Sequence, residues 1–199
     1  MKFKAIAQQI IELKNQDLAL RDQLIQAKQL SDGYNEEMAK LHNHNAQQLD
    51  KIIDTIGYPT IDKVGQAGSE AAWLIIQHSI GQPAFMKKCA KLLADAVAEN
   101  KANPISLAYL TDRIAVFEGK PQLYGTQFDW NEKGEMSPQA FDDLDKVNER
   151  RQDMGLNSLE AQTQIMRAQA KVENQTPPVD FDKRKKAERA WKRSVGWIL

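Results

Sequence analysis

The sequence predicts a mainly α-helical protein: a single helical domain of about seven or eight helices with one irregular loop or short β-hairpin. Two observations carry this. Apolar residues recur at intervals of three and four through successive segments, and glycine and proline fall between those segments rather than inside them. Ile6, Ile10, Leu13, Leu20 and Leu24 define a long amphipathic first helix, interrupted on its apolar face by Asp17 and free of Gly or Pro before Gly33. Ser31, Asp32 and Gly33 break it. Met38, Leu41, Leu49, Ile52 and Ile56 mark a second helix that stops at Gly57-Tyr58-Pro59, because proline disfavours helical geometry in the residue before it. Further helices are expected from about Gly65 to Ile80, Pro83 to Asn100 and Pro104 to Glu118.

From Gly119 to Pro138 the periodicity lapses, and Asn131-Glu132-Lys133-Gly134 reads as a turn within a loop or hairpin. Ser137-Pro138 has the form of an N-cap and first turn for a sixth helix ending near Gly155, and Asn157-Ser158 opens a seventh to about Glu173. The expected organisation is a helical domain over 1–174, a stiff linker over 175–180 containing Pro177-Pro178, and a basic C-terminal helix over 181–199. That tail carries Lys183, Arg184, Lys185, Lys186, Arg189, Lys192 and Arg193 against only Asp182 and Glu188.

Composition excludes several classes. In 199 residues, 27 Lys and Arg balance 27 Asp and Glu, which is not the charge of a generally basic nucleic-acid binder. Cys89 is the single cysteine, so no intrachain disulfide can form, and a cytoplasmic setting is expected. Cys89 shares a face with Phe85, Leu92 and Ala96, the position of a packed apolar group rather than a nucleophile. No apolar run reaches the roughly 18 residues of a membrane span, and Met1 to Leu13 lacks the unbroken apolar core of a signal peptide.

Hydrogen-bonding residues standing where an apolar stripe is expected point toward function, since burying one without a partner is costly. Asn45 lies four residues from both Leu41 and Leu49, His78 continues the face of Ala67, Ala71 and Leu74 beside Gln77, and Arg113 lies between Leu110 and Phe117 next to Asp112. The loop Gln122-Leu123-Tyr124-Gly125-Thr126-Gln127 follows, dense in donors and acceptors. Each has a plainer explanation: a satisfied core histidine, an asparagine that fixes register, an arginine in an ordinary ion pair.

Gly57-Tyr58-Pro59-Thr60, Val64-Gly65, Ala71-Ala72-Trp73-Leu74, Gln77-His78, Asp112-Arg113 and Tyr124-Gly125-Thr126-Gln127 occur in order. The series resembles a bacterial family known only as a domain of unknown function, with the pattern G-W-P-T, V-G, A-A-W-L, Q-H, D-R and Y-G-T-Q. The similarity is close over about 41–128 and looser to about 156, with Tyr58 in place of the tryptophan. It implies no particular activity.

Two functions are expected from the residues. In the first, the chain is an enzyme acting on a small anionic substrate by general acid–base chemistry. His78 is the acid or base because imidazole titrates near neutrality, and Asp112 orients it. Arg113 anchors the substrate, while Tyr124, Gln127, Gln77 and Asn45 surround it, Gly125 letting the backbone approach the ligand. No phosphate-loop or dinucleotide fingerprint is present, so no cofactor is expected. Nor is a metal expected: His42 and His44, two apart, do not face the same way, leaving His78 with carboxylates as the alternative. In the second, the chain is a non-catalytic interaction or immunity-type module whose polar residues form an internal network. Its first helix and its tail, with Trp191 and Trp197, dock protein partners, and neither nucleic acid nor a membrane span is expected.

Overall fold

The computed structural model describes the chain except for residues 28 and 30–32, so the expected break at Ser31 and Asp32 lies outside the described residues. The protein is mainly α, with eight helices and one two-stranded hairpin among the described residues. No helix among them is long and apolar enough to cross a membrane. Two compact units divide the chain, Met1–Ser106 and Leu107–Leu199.

The first unit contains α1 (Lys4–Gln26), α2 (Glu36–Ile56), α3 (Ile61–His78) and α4 (Pro83–Ala98). Asn35 caps α2 by accepting from the amides of Glu37 and Met38. Ala7, Ile10, Leu13 and Leu24 of α1 pack with Leu49, Ile52 and Ile53 of α2 and Ala71, Ala72, Ile75 and Ile76 of α3, all buried. The apolar stripe of α1 is therefore spent inside its own unit. At roughly 1.5 to 3 kcal/mol for each large side chain removed from water, that seam is the main stabilising feature of the unit. Close approach requires Gly68: a Cβ there would stand 3.3 Å from that of Ala7. Helix α3 starts four residues earlier than the periodicity suggests, because it continues through a kink at Gly65, where φ is +73°. Cys89 is fully buried, and burial pushes its thiol up, away from the ionised form.

The second unit takes most of α5 (Pro104–Phe117), then β1 (Phe128–Trp130), β2 (Met136–Pro138), α6 (Leu144–Asp153), α7 (Leu159–Val172) and α8 (Phe181–Ser194). The strands pair antiparallel, Phe128 opposite Pro138 and Trp130 opposite Met136. Asn131 closes the turn by accepting from the amides of Lys133 and Glu135 through its side chain. Ser137-Pro138 is thus strand rather than helix start, since Ser137 faces Asp129 in the ladder and its hydroxyl accepts from Asn131. Asp143 caps α6 instead, through the amide of Lys146. Ser158 caps α7 as expected.

Helix α8 packs on its own unit. Arg184 pairs with Asp129, and the Trp197 ring stacks on Phe117 at 5.0 Å with Trp191 edge-on to the same ring. Trp197 is 4 % exposed, so this ring is core and not a docking surface. Trp197→Ala is expected to lower the stability of the protein by about 3 to 5 kcal/mol, measured as a fall in the urea midpoint at unchanged slope.

Candidate functional site

Three helices of the first unit bring their polar exceptions to one place. Asp17 occupies the buried face of α1 between Leu13 and Leu24, and its side chain is 1 % exposed. A carboxylate so placed needs hydrogen-bond donors or charged partners. Two histidines supply them. His78, the last residue of α3, shares a hydrogen bond between Nδ1 and Asp17 Oδ2 at 2.8 Å. His42, on α2, holds Nε2 3.2 Å from the same oxygen. Tyr34, just ahead of α2, completes the row at 2.7 Å from His42 Nδ1. The two imidazole centroids are 5.1 Å apart.

The surroundings hold this arrangement. The turn after α3 is tied to α2 where Gln82 donates to Asn43, and the Ser79 hydroxyl donates back to the carbonyl of Ile75. Asn45 donates to the carbonyl of Leu13 at 3.1 Å, linking α2 to α1 one turn from Asp17. Gln77 is buried beside His78 in sequence. Burial alone would push the Asp17 carboxyl up, but the nearby His42 and His78 outweigh it and hold it well below the usual carboxylate range. Burial and the Asp17 charge push the Tyr34 hydroxyl up, so it keeps its proton. Asp17 Oδ1 is sealed from solvent without a hydrogen bond among the described residues, and the buried His42 Nε2 meets Oδ2 at ion-pair distance but not in hydrogen-bond geometry. His78 is the open member of the group, its side chain 26 % exposed.

The other expected site residues belong to the second unit, and there they build a loop. Asp112, fully buried, accepts from the amides of Leu123 at 2.8 Å, Tyr124 at 3.2 Å and Thr126 at 2.9 Å, and from the Thr126 hydroxyl at 3.0 Å. The carboxylate that meets His78 is accordingly Asp17, while the oxygens of Asp112 are taken up by the 123–126 backbone. Arg113 donates from Nε to Gln127 Oε1 at 3.1 Å, and burial works against its charge. Gln122 donates to the carbonyls of Gln127 and Gln139 and accepts from the Gln127 amide. The Tyr124 carbonyl accepts from Arg151, a buried guanidinium whose remaining donors go to Asn157. Gly125 serves packing rather than the approach of a ligand. Its φ is +63°, and a Cβ there would stand 2.6 Å from Leu159 Cδ1.

Sequence reasoning passed over Asp17 and His42. The signal for Asp17 was its position, an acid interrupting an apolar stripe. His42 was weighed only against His44, its neighbour in the helix, whereas its partners come from other helices.

The chain belongs to a family of unknown function, DUF6624, whose model matches residues 4–172. No curated protein and no solved structure matches it.

Two outcomes are expected. Asp112→Ala, which leaves three backbone amides without their acceptor, should destabilise by at least about 3 kcal/mol in chemical denaturation. The Asp17 carboxyl carbon should keep its ionised NMR shift at pH 3, where exposed aspartates, with ordinary values near 3.8, have begun to protonate. Because the folded value lies below the unfolded one, the stability lent by ionised Asp17 is present above pH 4 and is lost as pH falls through the folded value.

Proposed function

We propose that the chain is an enzyme acting on a small substrate by general acid–base chemistry, with His78 as the working group and Asp17 as the residue that positions it. One observation carries this reading: His78 is partly exposed while its Nδ1 is held at 2.8 Å by a carboxylate sealed from water. With Nδ1 engaged, Nε2 is the ring nitrogen left to exchange a proton with a bound molecule. A carboxylate behind an imidazole fixes its tautomer and orientation.

The polar residues of the second unit support the other expectation, a structural network. Asp112, Gln122 and Arg151 each spend several hydrogen bonds on loop backbone, which is what groups that specify a conformation do. Arg113 belongs to that network through Gln127, so the proposed reaction assigns it no part and leaves the charge of the substrate open to the test.

The test is a thermal-shift screen of the whole chain against phosphorylated, carboxylated and uncharged metabolites. A ligand should raise the melting temperature, and His78→Gln, whose amide can still donate to Asp17, should lower turnover of that ligand by a factor of about 10² to 10⁴ while leaving the unliganded melting temperature within a few degrees. A screen without a stabilising ligand, together with strong destabilisation by His78→Gln, would overturn the proposal in favour of a structural role.

A further inference from the structure

We propose that Asp17, His42 and His78 form a binding site for a divalent transition-metal ion of the zinc type, with one carboxylate oxygen and one ring nitrogen from each histidine as its ligands. The inference rests on the reading of this cluster as the working centre and deepens it. Ligand atoms bonded to one ion at about 2.0 to 2.1 Å stand roughly 3.0 to 3.4 Å from one another. Asp17 Oδ2 lies 3.2 Å from His42 Nε2, inside that range, and 2.8 Å from His78 Nδ1, a hydrogen-bond contact that would open by a few tenths of an ångström about an ion; all three ligand atoms already fall within 4.8 Å of one another. The chemistry of the set, two imidazoles and a carboxylate, suits zinc and its neighbours in the first transition row better than calcium or magnesium, which prefer oxygen.

A histidine–aspartate relay without an ion would account for the His78 contact but not for the rest. Asp17 Oδ1 is buried with no hydrogen bond among the described residues, and His42 Nε2 meets Oδ2 at 3.2 Å as an ion-pair contact without hydrogen-bond geometry, an expensive arrangement in a network built only for structure. An ion held between Oδ2 and the two rings would give His42 Nε2 the partner its lone pair needs. Tyr34 already stands where an outer partner of a ligating histidine belongs, 2.7 Å from the far nitrogen of His42. When Nδ1 donates to the Tyr34 oxygen, the lone pair of Nε2 is turned to the ion. Three protein ligands leave a coordination position open, the pattern of catalytic rather than structural zinc, and the partial exposure of His78 places the cluster within reach of solvent. Water on such an ion loses a proton near neutral pH, so the base of the proposed reaction would be the bound hydroxide, with His78 acting as a ligand.

The whole chain, stripped of metal with a chelator, is titrated with Zn²⁺ against a chromogenic competitor and separately with Co²⁺, whose visible spectrum reports coordination. One equivalent is expected to bind, with NMR shifts at the rings of His42 and His78 and none at the exposed His44. His42→Ala and His78→Ala should each weaken Zn²⁺ binding roughly a hundredfold or more, and His44→Ala should leave it unchanged. Circular dichroism of each variant guards against loss of folding, and the wild-type spectra and shifts need no variant at all. Failure of the wild type to bind, or binding undiminished in folded His42→Ala and His78→Ala, would overturn the site. Ligand stabilisation and turnover that depend on His78 in the metal-free protein would overturn the metal and leave the acid–base centre standing. Loss of both would remove the two readings together.

Discussion

A negative charge buried in a helix seam sets the terms for the first unit. Asp17 replaces an apolar residue on the inner face of α1, and water cannot reach it. Its ionised form survives only because His42 from α2 and His78 from α3 come to the same oxygen. The requirement is mutual. Each histidine must leave its own helix at a defined height and angle, so the polar contact fixes a register that apolar packing alone would leave looser. Asn45 reaching the carbonyl of Leu13 and Asn43 holding the turn after α3 belong to the same constraint.

The second unit solves a similar problem to a different end. Asp112 is as deeply buried as Asp17, yet its partners are backbone amides and a hydroxyl, none of which can change protonation near neutrality. The hydrogen-bond donors it accepts from lie in the loop at 123–126. Asp17 faces two titratable rings and keeps an oxygen in reserve. This contrast, between a carboxylate consumed by architecture and one held against two imidazoles, is what favours the first unit as the seat of the proposed chemistry.

Much of the fold was legible because it is written in short-range patterns. Apolar spacing marked the helices, Gly57-Tyr58-Pro59 marked the end of α2, and Ser158 marked the start of α7. Ser137-Pro138 misled because a serine followed by proline suits the end of a strand as well as the start of a helix, and only pairing with Asp129 decides between them. The site was less legible. His78 stood out as a polar residue on an apolar face, but its partner was sought in Asp112, whereas the carboxylate it meets is 61 residues away in sequence. Periodicity locates a face and says nothing of which face it will meet. His42 shows the same limit, dismissed beside His44 and made significant by two other helices.

The two buried carboxylates also differ in how far apart in the chain their partners lie. Asp112 reaches amides 11 to 14 residues ahead, a small loop to close, and its knot can tie while the remainder of the chain is still searching. The link from Asp17 to His78 spans most of its unit, so it becomes available only when α1, α2 and α3 have docked. The aspartate–histidine centre is then among the last features of that unit to appear during refolding, and partly assembled chains would present its imidazoles without their anchor.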